Sequence, residues 1–149
     1  MQDEGREMRV FIPGNTPSLK NSKVATPKGV FMSKTVRKYL QFLGVKNYSV
    51  SKHTVENYKT RPNLFEEAVA PMRAYLATLY SPYLIGFHFI RGSKHKFDWM
   101  NAAAIIADLL VAHKVIFDDD MDNLIPSPYL IGDDWYSYDK ERPGCILDY

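Results

Sequence analysis

The stretch YLIGFHFIR, residues 83–91, decides the fold, because it is the clearest strand in the chain. Its aromatic and β-branched side chains favour extended structure, and Gly92-Ser93 bounds it. An alanine-rich helix is predicted from Asp98 to Lys114, with Asp98 suited to the N-cap position. Val115-Ile-Phe117 then resumes extended structure. This order predicts a strand–helix–strand unit.

Shorter elements surround this unit. We predict a strand over residues 8–14, a polar loop over 15–28, a short strand or extended segment over 29–33 and a helix over 34–43 that Gly44 stops. A second long helix, residues 63–80, begins at Asn63 in a capping box with Glu66, and Pro71 is expected to kink or restart it. The tail is loop-like through Pro126 and Pro128 and ends in a possible strand at 145–149.

Residues 45–62 are polar, tyrosine-rich and basic, and they show no clear period, which indicates an insertion or a mobile loop. With the other elements, we expect one α/β domain of the α+β type spanning residues 1–149. It would have a small mixed sheet of about four strands. The helices of 63–80 and 98–114 would pack on this sheet.

Composition narrows the class of protein. The 149 residues are 46% hydrophobic and 24% charged, which are ordinary globular values and exclude a chain that is disordered throughout. A single cysteine, Cys145, excludes a disulfide scaffold. The chain shows neither a secretory signal nor an apolar run long enough for a membrane span. We therefore expect a cytoplasmic protein.

Charge is distributed unevenly along the chain. Residues 1–62 hold twelve Lys/Arg and four Asp/Glu, whereas residues 63–149 hold seven and thirteen. A basic half suits a polyanion such as DNA, although a solvated loop and helix face would have the same composition. The candidate phosphate contacts in this half are Lys20, Lys23, Lys28, Lys34, Arg37 and Lys38.

Aspartates are the candidate metal ligands. Asp98 opens the central helix, and Asp118, Asp119 and Asp120 follow the next extended segment. If they converge, they form an oxygen-rich site suited to Mg²⁺ or Mn²⁺. Alternatively, Asp98 is only a cap and the aspartate run is a solvated turn. If residues 115–120 are extended, Asp119 points away from the side that Asp118 and Asp120 share.

Several other functions can be weighed from motifs. Walker A, G-x-G-x-x-G, D/E-x-K and zinc-finger patterns are absent from the sequence. The stretch Gly86-Phe-His-Phe-Ile90 loosely resembles a strand whose aromatic rings stack RNA bases. A buried strand of the sheet explains the same residues better.

One family matches the order of these residues. The segment Lys96-Phe-Asp98-Trp-Met-Asn101, the helix with Asp108-Leu-Leu, and Val115-Ile-Phe-Asp-Asp119 resemble the RusA-like Holliday junction resolvases. That family's pattern is D-x-D-N, a lysine three residues later, an Asp-Ala-Leu-type helix end and Asp-Asp, and it fits without a gap. Phe11–Gly14, Pro17–Lys20 and Gly29–Lys34 are similar to the family's opening segments, so the match covers about two thirds of the chain.

The resemblance implies a homodimer that binds and cleaves branched DNA in recombination or repair with Mg²⁺. It assigns catalytic roles to Asp98, Asp119 and Asn101, and metal binding to Asp98 and Asp119, with Asp118 and Asp120 as further acids. Lys94 and Lys96 join the candidate DNA contacts.

Two positions depart from the family pattern. Met100 replaces the second acid of D-x-D, and Ala104 replaces the lysine. Methionine is a poor Mg²⁺ ligand, and alanine cannot stabilise developing negative charge. Asp118 or Asp120 could replace the acid, and Lys94, Lys96 or Lys114 could replace the cation. Two functions therefore stay open: a weakened endonuclease, and a catalytically inactive, structure-selective DNA-binding protein of the same fold.

Overall fold

The computed structural model describes residues 8–18, 23–26 and 29–149. Over these residues the chain forms nine strands and three helices, as a mixed α/β fold. They are, in chain order, β1 (Arg9–Pro13), β2 (Lys23–Thr26), β3 (Gly29–Met32), α1 (Lys34–Leu43), β4 (Val45–Ser49), β5 (Thr54–Asn57), α2 (Leu64–Leu76), β6 (Tyr83–Arg91), α3 (Trp99–Ala112), β7 (Leu124–Pro128), β8 (Tyr136–Tyr138) and β9 (Gly144–Asp148).

The strand β6 is the centre of a five-stranded mixed sheet. On one side β9 pairs antiparallel with it and is followed by β1, also antiparallel. On the other side β7 pairs parallel with the first half of β6, and β8 pairs parallel with its last three residues. The predicted mixed sheet is thus confirmed, and it has five strands where about four were expected. The hairpins β2–β3 and β4–β5 form separate two-stranded sheets.

The unit β6–α3–β7 has the predicted strand–helix–strand order, but its second strand is Leu124–Pro128 and not the predicted Val115–Phe117. Nine of the fourteen residues of α3 are buried, and most of these are Ala, Ile and Leu. A helix enclosed on nearly all sides needs small or apolar side chains around its whole circumference. Its two most exposed residues, Met100 and Ala104, lie one turn apart.

The two other helices begin as their sequences predict, and α1 also ends as predicted, but α2 ends at Leu76 and not at residue 80. Ser33 and Asn63 cap α1 and α2 by accepting the amide hydrogens of Val36 and Glu66. Gly44 ends α1 in the left-handed conformation. The helix α2 continues through Pro71 to Leu76.

A polar network joins the end of α3 to the start of α2. His113 Nδ1 donates to the Leu109 carbonyl, and His113 Nε2 accepts from the Asn63 amide. Burial lowers the pKa of His113, which suits this neutral form. Arg73, which is ion-paired to Glu66, donates to the carbonyl of His113.

Val115-Ile-Phe117 is not a strand, which corrects the prediction. Lys114 takes a positive φ of 61°, its N–H bonds the Val111 carbonyl, and the N–H of Val115 bonds the Leu110 carbonyl. These bonds form a Schellman motif that closes α3. It turns the buried side chains of Val115 and Ile116 back toward the core. The next strand begins only at Leu124, so the loop-like tail predicted through Pro126 and Pro128 contains β7.

Two segments predicted as loops contain hairpins. The range 15–28 includes β2, which pairs with β3. The range 45–62 includes β4 and β5, and the register of their pairing shifts between Val45 and Asn47. A bulge of this kind breaks the alternation of apolar side chains, which is why this segment shows no period. Tyr48 and Val55 pack against the core, so the hairpin is docked.

The hairpin segment of residues 45–62 ends with Pro62 lying close to Gly44, the residue that ends α1. This contact can be tested by substituting Gly44. A Cβ there would overlap the Pro62 carbonyl, and Gly44 has a φ of +82°. We expect Gly44→Ala to lower the free energy of unfolding by about 3 kcal/mol, from left-handed strain and overpacking together. Gly132→Ala is the matched control, because Gly132 has a φ of +63° with nothing within 4 Å of a Cβ. It should cost only about 1–2 kcal/mol in urea denaturation. Equal losses would contradict the docked position of Pro62.

Candidate nucleic-acid interface

The start of α3 holds two of the predicted site residues. The Asp98 side chain accepts the Asn101 N–H at 3.1 Å, so it caps the helix as expected. Asn101 donates from its side chain to the carbonyl of Ser18 at 3.3 Å. Asp98 is exposed and Asn101 is partly buried. The contact of Asn101 fixes the loop after β1 beside the first turn of α3.

The two departures from the family pattern lie on the open side of α3. Met100 is 75% exposed, and Ala104, one turn further on, is also exposed. Asp108, a further turn on, is partly buried. Burial and then the charge of Asp108 raise the pKa of Tyr48 to about 12. The strand β4 contacts α3, so the β4–β5 hairpin lies beside this helix.

The aspartate run forms a loop between α3 and β7, which we call the acidic loop (residues 118–122). Asp118 accepts its neighbour's N–H, and Asp120 accepts the N–H of Asp122 and the side chain of Asn123. Burial, followed by a hydrogen bond and the charge of Asp118, raises the pKa of Asp119. Because residues 118–122 are a bend and turn, the expected alternation of side chains along a strand does not apply here.

The acidic loop and Asp98 lie beyond opposite ends of α3. The carbonyl of Asp120 accepts the N–H of Leu124, which pairs with Tyr83 at the start of β6. Asp98 instead follows the end of β6. A helix of fourteen residues separates them, about 21 Å long. Within the described ranges, no three His, Cys, Asp or Glu side chains come close enough to hold a metal ion.

The basic candidates fall into two described groups. Lys34, Arg37 and Lys38 are exposed on α1, and Lys94 and Lys96 are exposed between β6 and α3. Lys38 lines a surface depression with Asn15 and Pro17. The Asn15 side chain accepts the N–H of Gly92. The loop after β1 therefore links both groups to the same end of β6. Lys20 and Lys28 lie outside the described residues, and Lys23 begins β2.

The rings of β6 that suggested RNA binding are not accessible to bases. Phe87 and Phe89 are almost completely buried, so bases cannot stack on their rings. His88 is also buried and bonds to Tyr129 and Ser137. A cluster of exposed aromatic rings lies instead in the tail, at Trp135, Tyr136 and Tyr138. Sequence reasoning missed them because they were treated as part of a loop, although three aromatic residues in four positions are a usable signal.

The comparisons with known proteins identify no relative: no family model matches the chain, and neither the curated proteins nor the solved structures contain a significant match. In the part of the chain described here, none of the helices is long and apolar enough to cross a membrane.

The crowding of carboxylates at Asp119 gives a pH-dependent prediction. A raised pKa means that this group favours the folded state below its ordinary value of 3.8 and that the contribution is lost as pH rises through the folded pKa. Asp119→Asn should therefore increase the free energy of unfolding at pH 7, by about 0.5 kcal/mol or less since the site is exposed. The gain should disappear below pH 3.8. Urea denaturation at both pH values measures it, with Asp122→Asn as the control. An equal gain in the control would indicate a general charge effect.

Proposed function

We propose that this chain is a RusA-like protein that binds branched DNA as a homodimer and cleaves its backbone slowly with Mg²⁺ or Mn²⁺. The observation that carries the proposal is the bond from Asn101 to Ser18. It joins the two stretches that resemble the resolvases, the loop after β1 and the D-x-x-N start of α3. A resemblance in two separate segments gains weight when the fold brings both to one place.

The charge around this place favours a nucleic acid. Lys38 lies beside the loop after β1, and Lys94 and Lys96 lie between β6 and α3. Cations spread over several elements meet phosphates rather than base edges, and they therefore select the shape of DNA rather than its sequence. A branched substrate presents phosphates from several arms to such a surface.

The carboxylates fit a divalent ion only if two chains contribute them. Asp98 and the acidic loop lie beyond opposite ends of α3, so one chain keeps them apart. In a two-fold dimer, a contact from one surface to another is made twice, once by each chain. The start of α3 of one chain and the acidic loop of the other would then form each site. Mg²⁺ bound there would supply hydroxide and stabilise charge on the phosphate.

A catalytically inactive DNA-binding protein of this fold is the second candidate. It is favoured by Met100, which is 75% exposed at the position where the family has a metal-binding acid. An exposed thioether there neither binds Mg²⁺ nor contributes to the core.

DNA binding is tested first by charge reversal on α1. Arg37→Glu with Lys38→Glu should weaken binding to a four-way junction in EDTA for all arm sequences, because phosphate contacts are lost. Each lost contact should lower the slope of log K against log salt by about one. Lys52→Glu is the control, because this exposed lysine lies in the β4–β5 turn. Its neighbour His53 contacts Phe117 just before the acidic loop. Salt-independent binding, or an equal loss in the control, would contradict the proposal.

Catalysis is tested by restoring the family's side chains. We expect weak or no junction cleavage by the natural chain, more with Met100→Asp, and most with Met100→Asp and Ala104→Lys together. Both positions are exposed, so neither change should disturb the core. Asp98→Asn in the double variant should abolish cleavage yet keep the fold, because asparagine caps a helix about as well as aspartate.

The two-chain arrangement has its own outcome in the same assay. In the double-variant background, inactive Asp98→Asn and Asp119→Asn chains should regain activity when refolded together, since a mixed dimer holds one intact site. Random pairing would restore roughly a quarter of full activity. No recovery, with dimers confirmed by sedimentation, would contradict a site formed by Asp98 of one chain and Asp119 of the other. Retained binding without cleavage in every variant would favour the inactive DNA-binding protein.

A further inference from the structure

A groove of about 880 Å³ opens where β6 ends and α3 begins. One side is formed by the turn after β6, with Lys94 and Lys96. The other side is formed by the segment that leads into β8, with Trp135 and Tyr136. The proposed DNA contacts and cleavage chemistry use Lys94 and Lys96 but leave the aromatic side unexplained.

The aromatic side presents open rings on a rigid base. Trp99 is fixed by its indole N–H, which donates to the Phe87 carbonyl at 3.2 Å. Trp135 packs on Trp99 at 6.1 Å between centroids, and Tyr136 meets Trp135 edge-on at 5.8 Å. Trp135 is 42% exposed and Tyr136 is 47% exposed. Such large exposed rings in a concave site are typical of surfaces that stack nucleic-acid bases.

Arg91 lies beneath the groove and is incompletely satisfied. It is 8% exposed, donates to the His95 carbonyl at 2.7 Å and lies over the Phe97 ring at 4.2 Å. Its Nε is buried without a hydrogen-bond partner among the described residues. An uncompensated buried cation is costly, so an anion held above it would stabilise the charge.

Polar groups at the rim match the parts of a nucleotide. The Lys94 ammonium lies 5.1 Å from the Tyr138 ring, and Lys96 is exposed beside it. These cations suit phosphates. Asp133 and Asp134 also line the groove, where Asp134 is held by two backbone bonds with Ile131. Carboxylates repel phosphates but accept from the N–H groups of bases, including the ring N–H of thymine. The charges therefore favour a base near Asp133 and Asp134 and the nucleic-acid backbone near Lys94 and Lys96.

We propose that this groove binds unpaired DNA, with a base stacked on Trp135 and Tyr136 and the adjoining phosphates at Lys94 and Lys96. Its use at a branch point, where base pairs can open, rests on the proposed function. Binding of single strands does not. The groove adjoins Asp98, so a strand held in it would pass the start of α3.

Intrinsic fluorescence tests the groove directly, because both tryptophans of the chain line it. The probe is a thymidine oligomer of about 10 nucleotides, a length within the usual site sizes. We expect its titration to change tryptophan emission in the natural chain. By fluorescence anisotropy of a labelled oligomer, Trp135→Ala should bind about tenfold more weakly, and Trp135→Phe should lose much less. Tyr80→Ala, at a 96% exposed ring outside the groove, is the matched control and should bind normally.

The outcomes separate this proposal from the proposed function. Unchanged emission at saturating oligomer, or equal losses in Trp135→Ala and Tyr80→Ala, would overturn the groove even if junction binding is intact. A uridine oligomer bound more tightly, with the same dependence on Trp135, would overturn the assignment to DNA. If Trp135→Ala does not fold, oligomer binding is measured instead with Trp135→Phe and with the double variant Lys94→Gln, Lys96→Gln. The lysine pair should weaken oligomer binding and reduce its salt dependence.

Discussion

Parallel pairing of β6 with β7 is the constraint on which the arrangement of the molecule depends. Parallel neighbours need a crossover, and α3 provides it. The residues just before α3 must then lie at the finishing end of β6, and the residues just after α3 at its starting end. This pairing alone separates the start of α3 from the acidic loop and makes one end of the sheet basic and aromatic while the other is acidic.

The same constraint explains the composition of α3. The helix is covered on almost all sides, and only the side with Met100 and Ala104 is open along its first turns. Side chains on the covered sides are constrained by packing, and alanine allows neighbouring elements to approach the helix closely there. Side chains on the open side have no packing to satisfy. Residues on this narrow surface can therefore be changed for a function without disturbing the core.

The sequence was most informative where one local signal was strong. The strand β6, the helix α3 and the caps Asn63 and Asp98 need only neighbouring residues to be recognised. The sequence was least informative where contacts between residues far apart in the chain determine the local structure. Val115 and Ile116 have the composition of a strand, but a Schellman motif turns them into the core. The β4–β5 hairpin loses its alternation at a bulge, and β7 is stabilised by pairing with β6 despite two prolines.

The residues of the candidate site also differ in whether the fold itself uses them. Asp98 caps α3, Asn101 bonds Ser18, and Asp118 and Asp120 accept hydrogen bonds in the acidic loop, so these residues have structural roles whatever the chemistry. Met100 and Ala104, the two departures from the resolvase pattern, lie on the open side of α3. Asp98 and Asn101, which fit the pattern, are thus residues that the fold itself uses. Asp119 fits the pattern without such a role, and Met100 and Ala104, which differ from it, are positions that the fold leaves free. The match of Asp98 and Asn101 is therefore stronger support for the fold than for catalysis, and the proposed cleavage is best tested at the two exposed positions.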